Sequence, residues 1–306
     1  MFETINSLID NLSLDHRRGA AEIVEDIGDL LIDIARLGGQ NPEFAEQLFQ
    51  RAIRRLAHGQ PSMAPVLNLL NRVCLTRGKF GEDWEGLTQA FKDIMADRTS
   101  QFDEMERRAN ELPRANDTLL VFSNSSTVFR MIQACRKLGW PKRIICSEAR
   151  PVMEGLVMAR KLSTVRIPIT IFTDAALMSR VDEADAVWVG GDAISLRGLV
   201  NKAGSKALAL LAQLNGIPFI SLMSTNKMLS LEMLPYFHFM PQNPREIAAD
   251  DAEDLNIVNE YYETIPLPLV THVYTEQGLS PADELVKTIK HEPVSALFKE
   301  LVKGQN

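Results

Sequence analysis

From about residue 114 onward, short apolar runs of strand length alternate with segments of helical periodicity, and no such run precedes them. The runs are Leu119–Ser123, Arg143–Glu148, Pro168–Thr173, Ala186–Gly190, Pro218–Met223 and His272–Thr275, with helical segments starting near Ser125, Glu154, Ala175 and Asn201 between the first five. Near-continuous apolar strands separated by helices are what a parallel sheet covered on both faces requires, because each parallel connection needs a crossover. Before Arg114 the spacing is helical instead: Leu8, Ile9 and Leu12; Ile23, Ile27, Leu30, Leu31 and Ile34; Phe44, Leu48, Ile53 and Leu56. Gly38 and Gly39 stop the second of these, and residues 84–112 read as one long amphipathic helix. The expected class is α/β, with a helical domain over residues 1–113 and a parallel-sheet domain over residues 114–306.

The chain of 306 residues has room for two domains, and a net charge of −7 argues against a nucleic-acid binder that relies on bulk positive charge. Cys74, Cys135 and Cys146 form no CxxC pair and the five histidines no HExxH, so neither a zinc site nor a disulfide framework is expected. No cofactor is implied. The acidic opening residues lack a basic segment before an apolar core, and no apolar run approaches about 18 residues, so a cytoplasmic protein off the membrane is expected.

Ligands of open α/β sheets bind where strands end and helices begin, and the strand ends here share one polar character. The stretch Ala186–Ala212 reads as strand, loop and helix, with Asp192 at the junction and Asn201 and Lys202 entering the helix. An aspartate after Gly190-Gly191 in an apolar setting is costly unless paired or used, and Lys202 is a partner for it or for a phosphate. The first strand ends in Ser123-Asn124-Ser125-Ser126, an N-cap or an anion site. The second ends near Arg150, either a phosphate fork or a surface arginine paired with Glu148 or Glu154. The third ends in Asp174, read as a helix cap. Near the start, Arg17, Arg18 and Gly19 precede a helix, as a basic turn or as an anion site.

With these segments in order, the chain resembles the group that contains the alpha, beta and delta subunits of eukaryotic translation initiation factor 2B, ribose-1,5-bisphosphate isomerase and 5-methylthioribose-1-phosphate isomerase. SNSS (residues 123–126), SEARP (147–151), TDAA (173–176), GGDAI (190–194) and NKAGS (201–205) follow the group's order and approximate spacing. VYTEQGLSP and RRGAAEI resemble its C-terminal turn and its N-terminal segment. The resemblance implies a helical domain and a Rossmann-like domain, a sugar-phosphate pocket between them, and a homodimer or larger homo-oligomer. It implies that Arg18, Gly19 and Ala20 hold a phosphate, that Ser125, Ser126 and Arg150 contribute at the strand ends, that Asp192 is the catalytic carboxylate, and that Asn201 and Lys202 contact substrate.

Three departures bear on function. Ser123 stands where the isomerases have a cysteine, and a serine with no base beside it is a poor proton donor or acceptor at neutral pH. Gln60 stands where they tend to have arginine, and Glu154, where they often have glutamine, would repel a phosphate. The departures favour a non-catalytic, regulatory binder of a phosphorylated sugar or nucleoside monophosphate, with no direct nucleic-acid contact. Intact Asp192, Asn201 and Lys202 keep the alternative, an aldose–ketose isomerase of a phosphorylated pentose.

Overall fold

The computed structural model describes residues 2–15, 18–114, 117–248, 254–289 and 293–303. The chain divides into two compact units, one made of residues 1–101, 226–239 and 290–306, the other of residues 102–225 and 240–289.

The first unit is helical: α1 (Phe2–Leu14), α2 (Ala20–Gly38), α3 (Pro42–Gly59), α4 (Ala64–Phe80) and most of α5 (Trp84–Arg107). The apolar stripe of α2, with Ile23, Ile27, Leu30, Leu31 and Ile34 all buried, belongs to a helix that packs against α3 and α4. The late segments are tied in by side-chain amides. Asn68 Nδ2 donates to the carbonyls of Asn226 (2.7 Å) and Met228 (2.8 Å). Asn71 Oδ1 accepts from the Ser295 amide at 2.8 Å, just before the final helix, residues 296–302.

The second unit is built on a seven-stranded sheet. Its strands are β1 (Thr118–Val121), β2 (Arg143–Ser147), β3 (Ile169–Phe172), β4 (Ala186–Val189), β7 (Phe219–Leu222), β9 (His272–Thr275) and β10 (Gly278–Pro281). Their spatial order is β10-β9-β7-β4-β1-β2-β3, all neighbours parallel except β9 and β10. The chain therefore steps outward from β1 to β3, then returns to lay β4 on the other side of β1. Such a reversal opens a crevice at the carboxyl ends of the two strands, the place where doubly wound sheets take their ligands. Helices α6 (Ser126–Lys137), α7 (Glu154–Ser163), α8 (Asp174–Met178), α9 (Ser205–Leu214) and α10 (Ala282–Lys287) connect or flank the strands. Every residue of β1, β4 and β7 is buried, as a covered sheet demands. Trp140 packs edge-on against Trp188 of β4 at 5.4 Å between ring centres.

The six expected strands are all present, each within two residues of the expected bounds. Four short strands were not anticipated. β10 closes the edge of the main sheet, and β5 (Ala193–Ser195), β6 (Gly198–Lys202) and β8 (Tyr262–Ile265) form a separate antiparallel sheet in the order β5-β6-β8. The expectation that a helix starts near Asn201 is corrected by this small sheet. Asn201 and Lys202 end a strand, paired across to Glu263 and Tyr262, and α9 begins only at Ser205. The reason is tertiary: a partner strand more than fifty residues away supplies the hydrogen bonds, and local propensity is too weak to oppose it.

Candidate functional site

Because β1 to β4 run parallel, their carboxyl ends share one edge, and the polar loops of the second unit collect there. The backbone at this edge is held in costly conformations. Ser123 (φ 66°), Ala149 (φ 55°) and Met153 (φ 60°) are all left-handed without being glycine. Each costs on the order of 1–3 kcal/mol, and such residues gather at sites where the surrounding structure fixes them for a purpose.

After β1, Ser125 caps α6, its Oγ accepting from the Val128 amide at 3.3 Å, and Ser126 opens the helix on its exposed side. After β4 the chain passes through Gly190 and Gly191 to Asp192. A Cβ on Gly190 would lie 2.8 Å from Ser125 Oγ, and one on Gly191 would lie 2.6 Å from Met223 Sδ. Glycine at 190 lets the β4 loop press against the β1 loop, and glycine at 191 leaves room for the Met223 side chain. The Asp192 amide donates to Val200 O at 2.8 Å, which fastens the half-buried aspartate to β6.

Lys202, at the end of β6, has only 4% of its side chain exposed. Its ammonium lies 3.0 Å from Glu154 Oε1, off the hydrogen-bonding direction, and 4.6 Å from the centre of the Tyr261 ring. Lys202 Nζ has no hydrogen-bond acceptor, and Glu154 Oε2, equally buried, has no donor. Glu154 Oε1 also accepts from Ser123 Oγ at 3.3 Å. Tyr262 completes the cluster. Burial pushes its phenol well above the ordinary tyrosine value, and the Asp192 and Glu154 carboxylates push it further the same way. Ser123, Glu154, Asp192, Lys202, Tyr261 and Tyr262 therefore share one charged, largely dry cluster at the switch point.

The remaining expected residues have other settings. Asn201 precedes Lys202 on a strand, so the two side chains leave on opposite faces, and Asn201 Nδ2 donates to Ser205 Oγ at 3.0 Å. The exposed Arg150 pairs with neither Glu148 nor Glu154; its Nη2 donates to Ile247 O at 3.4 Å. The expectation that Asp174 is a helix cap is corrected. Thr173 caps α8, while the Asp174 carboxylate accepts from the amides of Ala149 (2.9 Å) and Arg150 (2.8 Å) and so pins the β2 loop. At the N-terminus of α9, Glu263 Oε1 accepts from the Gly204 (2.7 Å) and Lys206 (2.8 Å) amides, so this helix start already holds an anion.

Arg18, Gly19 and Ala20 belong to the first unit. Gly19 precedes α2 with no side-chain cap, so the first amides of that helix keep their donor capacity. Arg18 is held by Asp15 (2.6 Å) and Asp26 (2.7 Å), and those bonds raise its guanidinium above the usual value. Arg17 lies outside the described residues. Gln60 is buried, its Nε2 donating to the carbonyls of Leu12 and Asp15 at 2.8 Å each. Neither Cys135 nor Cys146 offers a thiolate, since burial pushes the first up to about 12 and the second to about 11.

Sequence reading missed Tyr261, Tyr262 and Glu263. All three sit in a run, NEYYETIPLP, whose prolines and charges hide a four-residue strand. Among the described residues no helix is long and apolar enough to cross a membrane.

Residues 17–282 match the model of the initiation factor 2 subunit family, IF-2B. Ribose 1,5-bisphosphate isomerase of Haloterrigena turkmenica is 26% identical, over 96% of this chain and 93% of its own length. Methylthioribose-1-phosphate isomerase of Desulfitobacterium hafniense is 28% identical over 60% of this chain and 56% of its own. Among solved structures, the translation initiation factor eIF-2B of Pyrococcus horikoshii superposes with a TM-score of 0.75 at 22% identity, over 93% of this chain and 99% of that one. The chain belongs to the initiation factor 2 subunit family.

Proposed function

We propose that the protein is an aldose–ketose isomerase acting on a phosphorylated pentose. The observation that carries this reading is the cluster at the switch point: a half-buried Asp192 sharing its surroundings with a dry Lys202 that has no hydrogen-bond acceptor. Lys202, ion-paired with Glu154 at 3.0 Å but without a hydrogen bond in line, keeps ammonium protons to donate to a ligand oxygen. The relative that aligns along nearly the whole chain is named as an isomerase of this kind, which favours chemistry over binding alone.

Converting a pentose 1-phosphate to its ketose breaks the ring C1–O4 bond, moves the hydrogen of C2 to C1, and takes the proton from the C2 oxygen while the freed O4 gains one. Asp192 is the carboxylate offered for that proton transfer, and the Lys202 ammonium stabilises charge building on the sugar oxygen. Ser123 differs from a lone serine because its hydroxyl donates to Glu154, a base within reach. Ser125, Ser126 and Arg150 on the strand ends, Asn201 on β6, and the α2 start at Arg18, Gly19 and Ala20 are proposed to bind and orient the phosphorylated substrate. A homodimer or larger homo-oligomer belongs to the same proposal, and sedimentation velocity checks it.

One observation favours the other reading, a binder without turnover: Ser123 occupies the position at which the resemblance puts a cysteine. Incubation with ribose 1,5-bisphosphate or methylthioribose 1-phosphate, followed by NMR for ketose, separates the two. The isomerase reading expects ketose from the wild type and none from Asp192→Asn. A melting temperature raised by the ligand, with no ketose formed, would leave the regulatory binder.

A further inference from the structure

We infer that Glu246 is a positioning residue that acts through Tyr261: it fixes the tyrosine ring against the Lys202 ammonium and thereby sets where that ammonium stands. In the isomerase reading, on which this role rests, Lys202 meets a sugar oxygen, so its place decides how well charge there is stabilised. The Lys202 side chain is nearly dry, yet a lysine stem is flexible and its ammonium has no fixed direction of its own. Two neighbours hold it, the Glu154 carboxylate at 3.0 Å and the Tyr261 ring, centred 4.6 Å from Nζ. A desolvated ammonium is drawn to an aromatic face, but only while the ring stays in place. The Tyr261 residue is pinned at both ends. At its backbone, Tyr261 O accepts from the amide of Ala203, the residue after Lys202, at 2.8 Å. At its tip, the hydroxyl donates to Glu246 Oε2 at 2.5 Å, the short distance of a charge-assisted bond. Glu246 is anchored in turn: the same oxygen accepts from Asn259 Nδ2 at 2.8 Å, and Asn259 Nδ2 also donates to Asn243 O at 2.8 Å. A half-buried carboxylate in the turn Pro244–Glu246 thus reaches the charged cluster by way of one phenol. A glutamate that merely fastened its turn would need Asn259 and not the Tyr261 hydroxyl.

Dimethyl labelling of lysines in the protein without ligand, read by peptide mass spectrometry, tests this with a double-mutant cycle. The rate at Lys202 is taken relative to Lys142, whose side chain is 72% exposed. Glu246→Ala and Tyr261→Phe each free the ring tip, so each should raise the relative rate at Lys202 by at least about threefold. Both cut the same bond, so the double variant should match the larger single effect, whereas independent roles would multiply the two factors. Glu246→Gln keeps an acceptor oxygen for the phenol and should stay close to wild type. An unchanged Lys202 rate in Tyr261→Phe, factors that multiply in the double variant, or Glu246→Gln labelled as fast as Glu246→Ala each overturns the inference. Should Glu246→Ala fail to fold, Tyr261→Phe and Glu246→Gln still decide. With methylthioribose 1-phosphate, Glu246→Ala and Tyr261→Phe should lower kcat by about tenfold and leave KM within about twofold, and an unchanged kcat in a protein that isomerises also overturns the inference. A wild type that forms no ketose removes the isomerase reading, while the labelling cycle still decides whether Glu246 holds Lys202 through Tyr261.

Discussion

Gln60 and Asp174 show how single side chains hold the loops that frame the candidate residues. Gln60 bridges two backbone carbonyls at the end of α1 and the start of the turn to Arg18, entirely within the first unit. Replacing it with leucine leaves those carbonyls without their donor, and an unsatisfied buried polar group costs about 1–3 kcal/mol. Urea denaturation of Gln60→Leu should show a loss in that range; an unchanged midpoint would mean that water replaces the amide at no cost. Asp174 holds two amides of a loop whose backbone is left-handed at Ala149. Asp174→Ala should lose about 1–3 kcal/mol, and Asp174→Asn, which keeps one acceptor oxygen, about half as much. Residue identities at the strand ends were legible in the sequence because polar groups interrupt apolar runs there. Their partners were not. That Ser123 meets Glu154, thirty-one positions on, or that Glu154 lies against Lys202, depends on loop paths that no local pattern records.

At the scale of elements, the helices were readable because one-sided burial imposes a period on them and the main strands because burial on both faces makes them unbroken apolar runs, and His272–Thr275 was located to the residue. The small sheet was hidden because its strands are three to five residues long, and its β6–β8 pairing joins segments far apart in sequence. That pairing also brings Glu263 to the start of α9. Glu263→Ala should cost about 1–2 kcal/mol, the usual value of an N-terminal cap and its charge, measured by thermal or urea unfolding. The interior of β2 makes a prediction about pH. Burial lifts the Cys146 thiol from 9.0 to about 11, so the unfolded chain releases this proton first as the solution is made alkaline. Between those values the unfolded state binds fewer protons than the folded state, and stability falls as pH rises. Below pH 9 the group contributes no slope. Wild type should lose roughly 2 kcal/mol more than Cys146→Ala between pH 9 and pH 11, with the two curves parallel below that window. Parallel curves throughout would mean that the thiol reaches solvent.

At the scale of the molecule, the alternation after residue 114 was enough to name the class, since few arrangements bury so many apolar strands. The same signal could not show that residues 226–239 and 293–303 pack in the helical unit, because a segment of helix or turn looks alike wherever it docks. What organises function in the second unit is the reversal of strand order between β1 and β4, which gathers the Ser123 loop, Asp192 and Lys202 at one edge. The most direct test is a crystal structure of the protein soaked with methylthioribose 1-phosphate. The account predicts ligand density at the carboxyl ends of β1 and β4, with a sugar oxygen within about 3.2 Å of Lys202 Nζ and another near the Asp192 carboxylate. Ligand bound elsewhere, or a Lys202–Glu154 pair left untouched beside a ligand that passes it by, would contradict it.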